Sequence, residues 1–129
     1  MVTPVRTRGF TLIELMVVMA IIAVLLTVAL PRYFAHVDRS KEVVLKENLM
    51  QMRDAIDKFY ADKGAYPADL PELVAQRYLR ALPVDPVTDS EQTWIIVAPP
   101  ATLQARGGVY DVRSGAPGAG RDGRPYADW

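Results

Sequence analysis

Residues 10–30 read FTLIELMVVMAIIAVLLTVAL, and this stretch restricts the chain more than any other feature. Eighteen of its 21 residues are apolar, the exceptions being Thr11, Glu14 and Thr27. As a helix rising about 1.5 Å per residue it reaches roughly 32 Å, enough to cross a bilayer core of about 30 Å. A secretory signal peptide is a poor fit, because its apolar region spans about 7–15 residues and ends at a small-residue cleavage site. Here the run is longer and ends at Leu30-Pro31-Arg32. A plain anchor fits the length but leaves Glu14 unexplained. A carboxylate in the bilayer costs about 2.5–3.5 kcal/mol on insertion scales and generally has a partner. Charge gives no clear orientation, since Arg6 and Arg8 precede the run while Arg32, Arg39 and Lys41 follow it.

The remainder is polar and nearly neutral. Residues 31–129 carry thirteen basic and fourteen acidic side chains, and the whole chain has a formal net charge of zero. That is not the basic excess of a nucleic-acid-binding domain. There is no cysteine, which excludes a disulfide framework, a cysteine-based zinc site and a cysteine nucleophile. The single histidine, His36, reads as a solvated helix residue and makes a histidine-based catalytic dyad a poor expectation. No phosphate-cradling GxxxxGK[ST] segment occurs, so any nucleotide must be used elsewhere.

After Pro31 there is no Gly or Pro until Gly64. Phe34, Val37, Val44, Leu45, Leu49, Met52, Ile56 and Phe59 recur largely at three- and four-residue spacing, which predicts an amphipathic helix. Glu42–Lys46 and Asp54–Lys58 are i,i+4 pairs of the favourable orientation. Gly64 is the expected stop, with Lys63 in the last turn. A helix from Phe10 to Lys63 would be about 80 Å long if straight, far beyond a compact domain of this size. Its first half therefore requires a membrane or other subunits, and its second half offers one stripe on which a small head can fold. In that head, Asp69 and Glu72 suggest a capped short helix over 72–79, with Pro71 in its first turn and Leu73, Val74, Tyr78 and Leu79 inward. Thr93–Val97 and Val109–Arg113 read as strands, with a further edge strand expected to begin in Leu103–Arg106.

Arg8-Gly9-Phe10-Thr11-Leu12-Ile13-Glu14 closely resembles the processing site of type IV pilins and type II secretion pseudopilins. The resemblance implies cleavage between Gly9 and Phe10 by a membrane aspartyl prepilin peptidase. The same enzyme then methylates the new amino terminus at Phe10. Glu14 becomes the fifth residue of the mature chain, poised to pair with the Phe10 amine of a staggered neighbour. Pro31 would mark where the stem bends or locally melts in a filament, since an interior proline removes one helix hydrogen bond. The segments Lys63-Gly64-Ala65-Tyr66-Pro67 and Leu82-Pro83-Val84-Asp85-Pro86, with the absence of cysteine, look most like the major (G-type) pseudopilin. Type IV pilins usually close the same region with a disulfide.

The implied fold is α+β and pilin-like, a long N-terminal helix, half transmembrane and half amphipathic, packed on a small antiparallel sheet. The implied division is a cleaved basic leader at 1–9, a transmembrane or filament-core helix at 10–30, an amphipathic stem at 31–64 and a periplasmic head at 65–129. Implied partners are further copies in a helical homopolymer, minor pseudopilins, the prepilin peptidase, and an inner-membrane assembly platform with its ATPase. The implied location is the inner membrane, single-pass, with the head in the periplasm. The alternative is a type IV pilin for adhesion, twitching or DNA uptake. A membrane-tethered enzyme would need a catalytic set in 65–129, which holds neither His nor Cys. Major pseudopilins often bind calcium in the carboxyl-terminal loop. Asp122 and Asp128 are the matching candidates, with Asp111 nearby in sequence, but Arg113, Arg121 and Arg124 offset their charge.

Overall fold

The computed structural model describes residues 2–4 and 8–129; Arg6, part of the expected basic leader, lies outside the described residues. Helix α1 runs Leu12–Lys63, 52 residues with Pro31 inside it. It is followed by α2 (Leu70–Ala75), β1 (Trp94–Val97), a 3₁₀ turn at Ala101–Leu103, β2 (Asp111–Ser114) and a second 3₁₀ turn at Tyr126–Asp128. The chain divides into two compact units, Met1–Val37 and Asp38–Trp129.

In the first unit the apolar helix buries nothing. The most apolar 18-residue window of α1 lies near the N-terminus, has a mean hydropathy of 2.8 and is 0% buried. Leu12, Ile13, Leu15, Met16 and Ile21 are all exposed.

The second unit forms around one face of α1. Leu45, Leu49, Met52, Ala55, Ile56 and Phe59 are buried and pack with Leu70, Leu73, Trp94, Val109, Val112 and Trp129. This is the expected stripe, shortened at its start: Phe34 and Val44 are exposed. Gly64 ends the helix as expected, adopting φ +70° while its N–H donates to the Tyr60 carbonyl at 2.8 Å.

Asp69 caps α2 by accepting from the Glu72 N–H at 2.9 Å, and Glu72 accepts from the Ala68 N–H at 2.6 Å. The helix stops at Ala75, earlier than the spacing predicted. Arg77 takes a left-handed φ of +63°, and the N–H groups of Tyr78 and Leu79 both return to the Leu73 carbonyl. Leu73 is fully buried, while Val74, Tyr78 and Leu79 are half-buried.

The two strands pair antiparallel in the register Trp94↔Ser114 to Val97↔Asp111. The second begins two residues later than expected, because Val109 is recruited elsewhere. The N–H groups of Gly108 and Val109 both donate to the Pro67 carbonyl, and Tyr66 N–H donates to Arg106. Gly107 permits this approach, since a Cβ there would collide with the Tyr66 backbone, and its φ is +112°. The edge strand expected from Leu103 does not form. Residues 101–103 make a 3₁₀ turn, and Gln104 turns left-handed at φ +48°.

Asp85 is the polar pin of the head. It is fully buried, and its Oδ2 accepts from the Ser114 hydroxyl at 2.7 Å. Its Oδ1 accepts from the N–H groups of Val87 at 2.8 Å and Thr88 at 3.4 Å. Ser114 Oγ in turn accepts from the Ala116 N–H at 3.1 Å, so one carboxylate ties the 82–90 loop to the end of β2. Trp94 Nε1 donates to the Pro83 carbonyl at 2.8 Å and closes the same loop from β1. Asp85→Ala leaves these buried donors without an acceptor and should cost about 3 kcal/mol, read as a lowered urea midpoint in the detergent-solubilised chain. An unchanged midpoint would remove Asp85 from this role.

Candidate functional site

Two regions carry the residues of interest. The first is the N-terminal segment. Thr11 sits just before α1 and accepts from the Glu14 N–H through its Oγ1 at 3.1 Å. This satisfies one of the free donors of the first turn and places a carboxylate where the helix dipole favours it. Thr-x-x-Glu is a readable capping signature, and Thr11 is the residue that a reading centred on Glu14 passes over. Arg8, Gly9, Phe10 and Glu14 line one open recess of about 400 Å³. Phe10 is 88% exposed. Gly9 needs no special backbone here, and a Cβ built on it meets nothing within 4 Å. Nothing in the fold of the single chain therefore demands glycine at position 9. Pro31 lies within α1, and the helix continues through it.

The second region is β2 together with the loop that follows it. Arg53, on α1, holds it at three points. Its Nε donates to Asp111 Oδ1 at 2.8 Å, and its Nη2 donates to the main-chain oxygens of Val112 at 3.0 Å and Trp129 at 2.7 Å. Glu42 accepts from the Arg121 N–H at 2.8 Å, and the Lys46 ammonium stands 4.7 Å from the centre of the Trp129 ring. The expected Glu42–Lys46 pair is thus replaced, because the two side chains engage a loop that spacing along the helix does not reveal. The Asp54–Lys58 pair forms as expected, at 2.8 Å. Trp129 is buried and meets Tyr126 edge-on at 5.0 Å between ring centres. Burial, followed by the charges of Glu42, Asp38, Asp85 and Asp122, pushes the Tyr126 phenol above its ordinary value.

The calcium candidates are not brought together. Asp122 Oδ1 accepts from the Arg124 N–H at 3.0 Å, and the Asp128 backbone oxygen accepts from Arg124 Nη2 at 3.0 Å. Asp111 is occupied by Arg53. Among the described residues no group of three or more His, Cys, Asp or Glu side chains is placed to hold a metal. Calcium takes six to eight oxygens, several from carboxylates, and this donor set does not match that requirement.

Residues 5–30 match the family model of the prokaryotic N-terminal methylation motif. The type II secretion system core protein G of Pseudomonas aeruginosa is 33% identical over 97 residues, covering 63% of this chain and 68% of that protein. The protein of the same name from Escherichia coli is 27% identical over 128 residues, covering 87% of this chain and 83% of its own length. The fimbrial protein EcpC of Eikenella corrodens is 45% identical over 62 residues, covering 48% of this chain. That match spans only 40% of the fimbrial protein's length, and the match to the major pilin PilA of Myxococcus xanthus spans 28% of that pilin. No solved structure matches.

The clamp at Arg53 gives a direct test. Arg53→Met keeps most of the stem but removes all three donors, and should lower stability by about 2 kcal/mol. Trp129 fluorescence in a Trp94→Phe background should report a loosened loop at denaturant concentrations where the parent is still intact. Identical melts for the two proteins would show that the clamp holds nothing.

Proposed function

The chain belongs to the family of the type II secretion system core protein G, and from that membership we propose that it is a structural subunit of a periplasmic pseudopilus rather than an enzyme. The observation that carries the reading is the first half of α1, an apolar rod with none of its most hydrophobic window buried in its own chain. Such a surface requires lipid before assembly and other copies after it. In this reading the precursor is held in the inner membrane with its head in the periplasm. The prepilin peptidase cuts between Gly9 and Phe10 and methylates Phe10. Gly9 supports this, because the fold of the single chain gives no reason for a glycine there.

Cleavage creates a cation at Phe10, one turn from Glu14. A pair within one chain gains little at a wet interface. Between chains it neutralises two charges that assembly would otherwise bury, so Glu14 acts as an axial register mark. The polymer then pushes folded proteins toward an outer-membrane channel, driven by an inner-membrane platform and its ATPase, with minor pseudopilins joining the fibre. The matches to type IV pilins support a second reading, a surface pilus.

Deleting the gene should retain exoenzymes in the periplasm. The intact gene should restore their release, and a Gly9→Val gene should not. Glu14→Ala should enter the membrane normally yet fail to form fibres. A supernatant unchanged by the deletion would reject secretion in favour of the pilus, and normal fibres from Glu14→Ala would reject the register role.

The head is further proposed to need no metal, its loop being held by Arg53, Glu42 and Lys46. Its thermal midpoint should be the same in calcium and in chelator; a rise with calcium would place Asp122 and Asp128 in a metal site after all.

A further inference from the structure

The aromatic residues of the first unit are Phe10, Tyr33 and Phe34, and they stand at the two ends of its apolar run. None lies between Thr11 and Arg32, and no charge lies between Glu14 and Arg32. The hydroxyl inside the run, that of Thr27, donates to the Val24 carbonyl at 2.6 Å and so needs no water. Tyr33 and Phe34 are both exposed and meet each other edge-on, with 5.9 Å between ring centres. In the second unit every tyrosine packs on a ring that is not its chain neighbour's: Tyr60 on Tyr66, Tyr66 on Tyr110, Tyr78 on Phe59 and Tyr126 on Trp129. Among the described residues Tyr33 and Phe34 have no such partner, so the fold of the single chain does not account for them.

Their placement points to lipid. Rings confined to the ends of an apolar helix are the pattern of side chains that settle at the two bilayer–water interfaces. Tyrosine suits that layer because its ring is apolar and its hydroxyl is polar. Arg32 suits it as well, since its stem lies along apolar surface while its guanidinium stays in water. At about 100° per residue, Arg32, Tyr33 and Phe34 cover about 200° of the helix circumference. A contact with one neighbouring stem would use one face, whereas a bilayer surface surrounds the helix.

We propose that Arg32, Tyr33 and Phe34 bind the lipid headgroup interface of the leaflet facing the head, and that this belt fixes the depth of the precursor so that the Gly9–Phe10 bond stands clear of the hydrocarbon on the opposite side. This rests on the processing reading above. The lengths agree. Leu12 to Tyr33 is about 32 Å of helix, or about 30 Å along the bilayer normal at a tilt of about 20°, against a hydrocarbon core of about 30 Å. With Tyr33 at one boundary, Leu12 stands at the other. Residues 8–11, which precede α1, then lie in the headgroup layer. A slide of one turn toward the head, about 5 Å, would draw this non-helical backbone into hydrocarbon, where its polar groups have no water. An apolar run alone leaves depth loosely set, and the belt supplies the stop.

The chain has no cysteine, so depth can be read with single cysteines introduced at Leu12, Leu15 and Val18. Inverted inner-membrane vesicles from cells without the peptidase expose the cytoplasmic end of the uncut chain to a membrane-impermeant maleimide. Leu12→Cys should label, and Leu15→Cys and Val18→Cys should not. Tyr33→Leu with Phe34→Leu lengthens the apolar run and removes the belt, so the helix should slide toward the cytoplasm by about one turn and Leu15→Cys should become reactive. Tyr33→Trp with Phe34→Trp, which keeps the interfacial chemistry, should retain the parent pattern. In pulse–chase labelling of cells that carry the peptidase, the double leucine variant should be cut several-fold more slowly and the double tryptophan variant at the parent rate. An unmoved labelling boundary in the leucine variant would overturn the anchor, and loss of fibres in that case would assign the rings to a neighbouring stem. A moved boundary with unchanged cutting would overturn the role in presenting the bond. A parent chain that is never cut would instead overturn the processing reading, with the labelling still deciding the anchor.

Discussion

A two-stranded sheet with four residues in each strand cannot hold itself together in water. Everything in the head therefore depends on one flank of α1. Leu45, Leu49, Met52, Ile56 and Phe59 supply a rigid apolar wall, and the strands, α2 and the final loop each contribute one or two side chains to it. Removing the wall would leave Trp94, Val112 and Trp129 with little to bury against. One element, α1, thus supplies both the exposed apolar rod of the first unit and the wall on which the head folds.

Once that wall exists, buried polar groups set the details. A chain with no cysteine cannot fix its late loops with a disulfide. Here Asp85 gathers the Ser114 hydroxyl and two backbone N–H groups within the 82–90 loop, and Arg53 reaches Asp111, Val112 and Trp129. Both are multi-point anchors. A charged group that makes several hydrogen bonds fixes direction as well as distance, which apolar contact alone does not. Arg53 is half-buried, so its hold is tempered by solvent, while Asp85 is sealed from water, where an unmet donor is costly.

What could be read from sequence follows the range of the interaction. The extent of α1, its stop at Gly64 and the Asp69 cap are local, and three- and four-residue spacing revealed them. The core stripe from Leu45 to Phe59 was legible for the same reason. The late start of β2 depends on where distant backbone lies, since the Pro67 carbonyl captures Val109, and the end of α2 at Ala75 and the 3₁₀ turn at Ala101–Leu103 turn on left-handed residues, Arg77 and Gln104, that carry no glycine signal. Glu42 and Lys46 form a good pair on an isolated helix, yet a loop some eighty residues away along the chain offers each a different partner. At the N-terminus Gly9, Phe10 and Glu14 stood out because their pattern is contiguous. Arg53 did not, because one arginine on a helix gives no local sign of acceptors on β2 and at Trp129, remote in the chain.

Gly9 and Glu14 illustrate how a residue can be constrained by something other than its own fold. In the head, residues such as Gly107 and Asp85 are explained by what they meet, the Tyr66 backbone and the Ser114 hydroxyl. Gly9 touches nothing that would exclude a side chain. Glu14 contributes its N–H to the Thr11 cap, but any residue has that N–H. A carboxylate at the start of an apolar rod raises the cost of entering a bilayer by a few kcal/mol, and the helix dipole returns only a fraction of that. The internal structure thus leaves both residues under-explained, while the exposed apolar rod beside them demands a partner. Under the proposed function, a cleaving enzyme that must approach the backbone closely would account for the glycine, and a cation brought by a neighbouring chain would account for the carboxylate. Both explanations place the missing contact outside the monomer, where the surface of α1 already requires one.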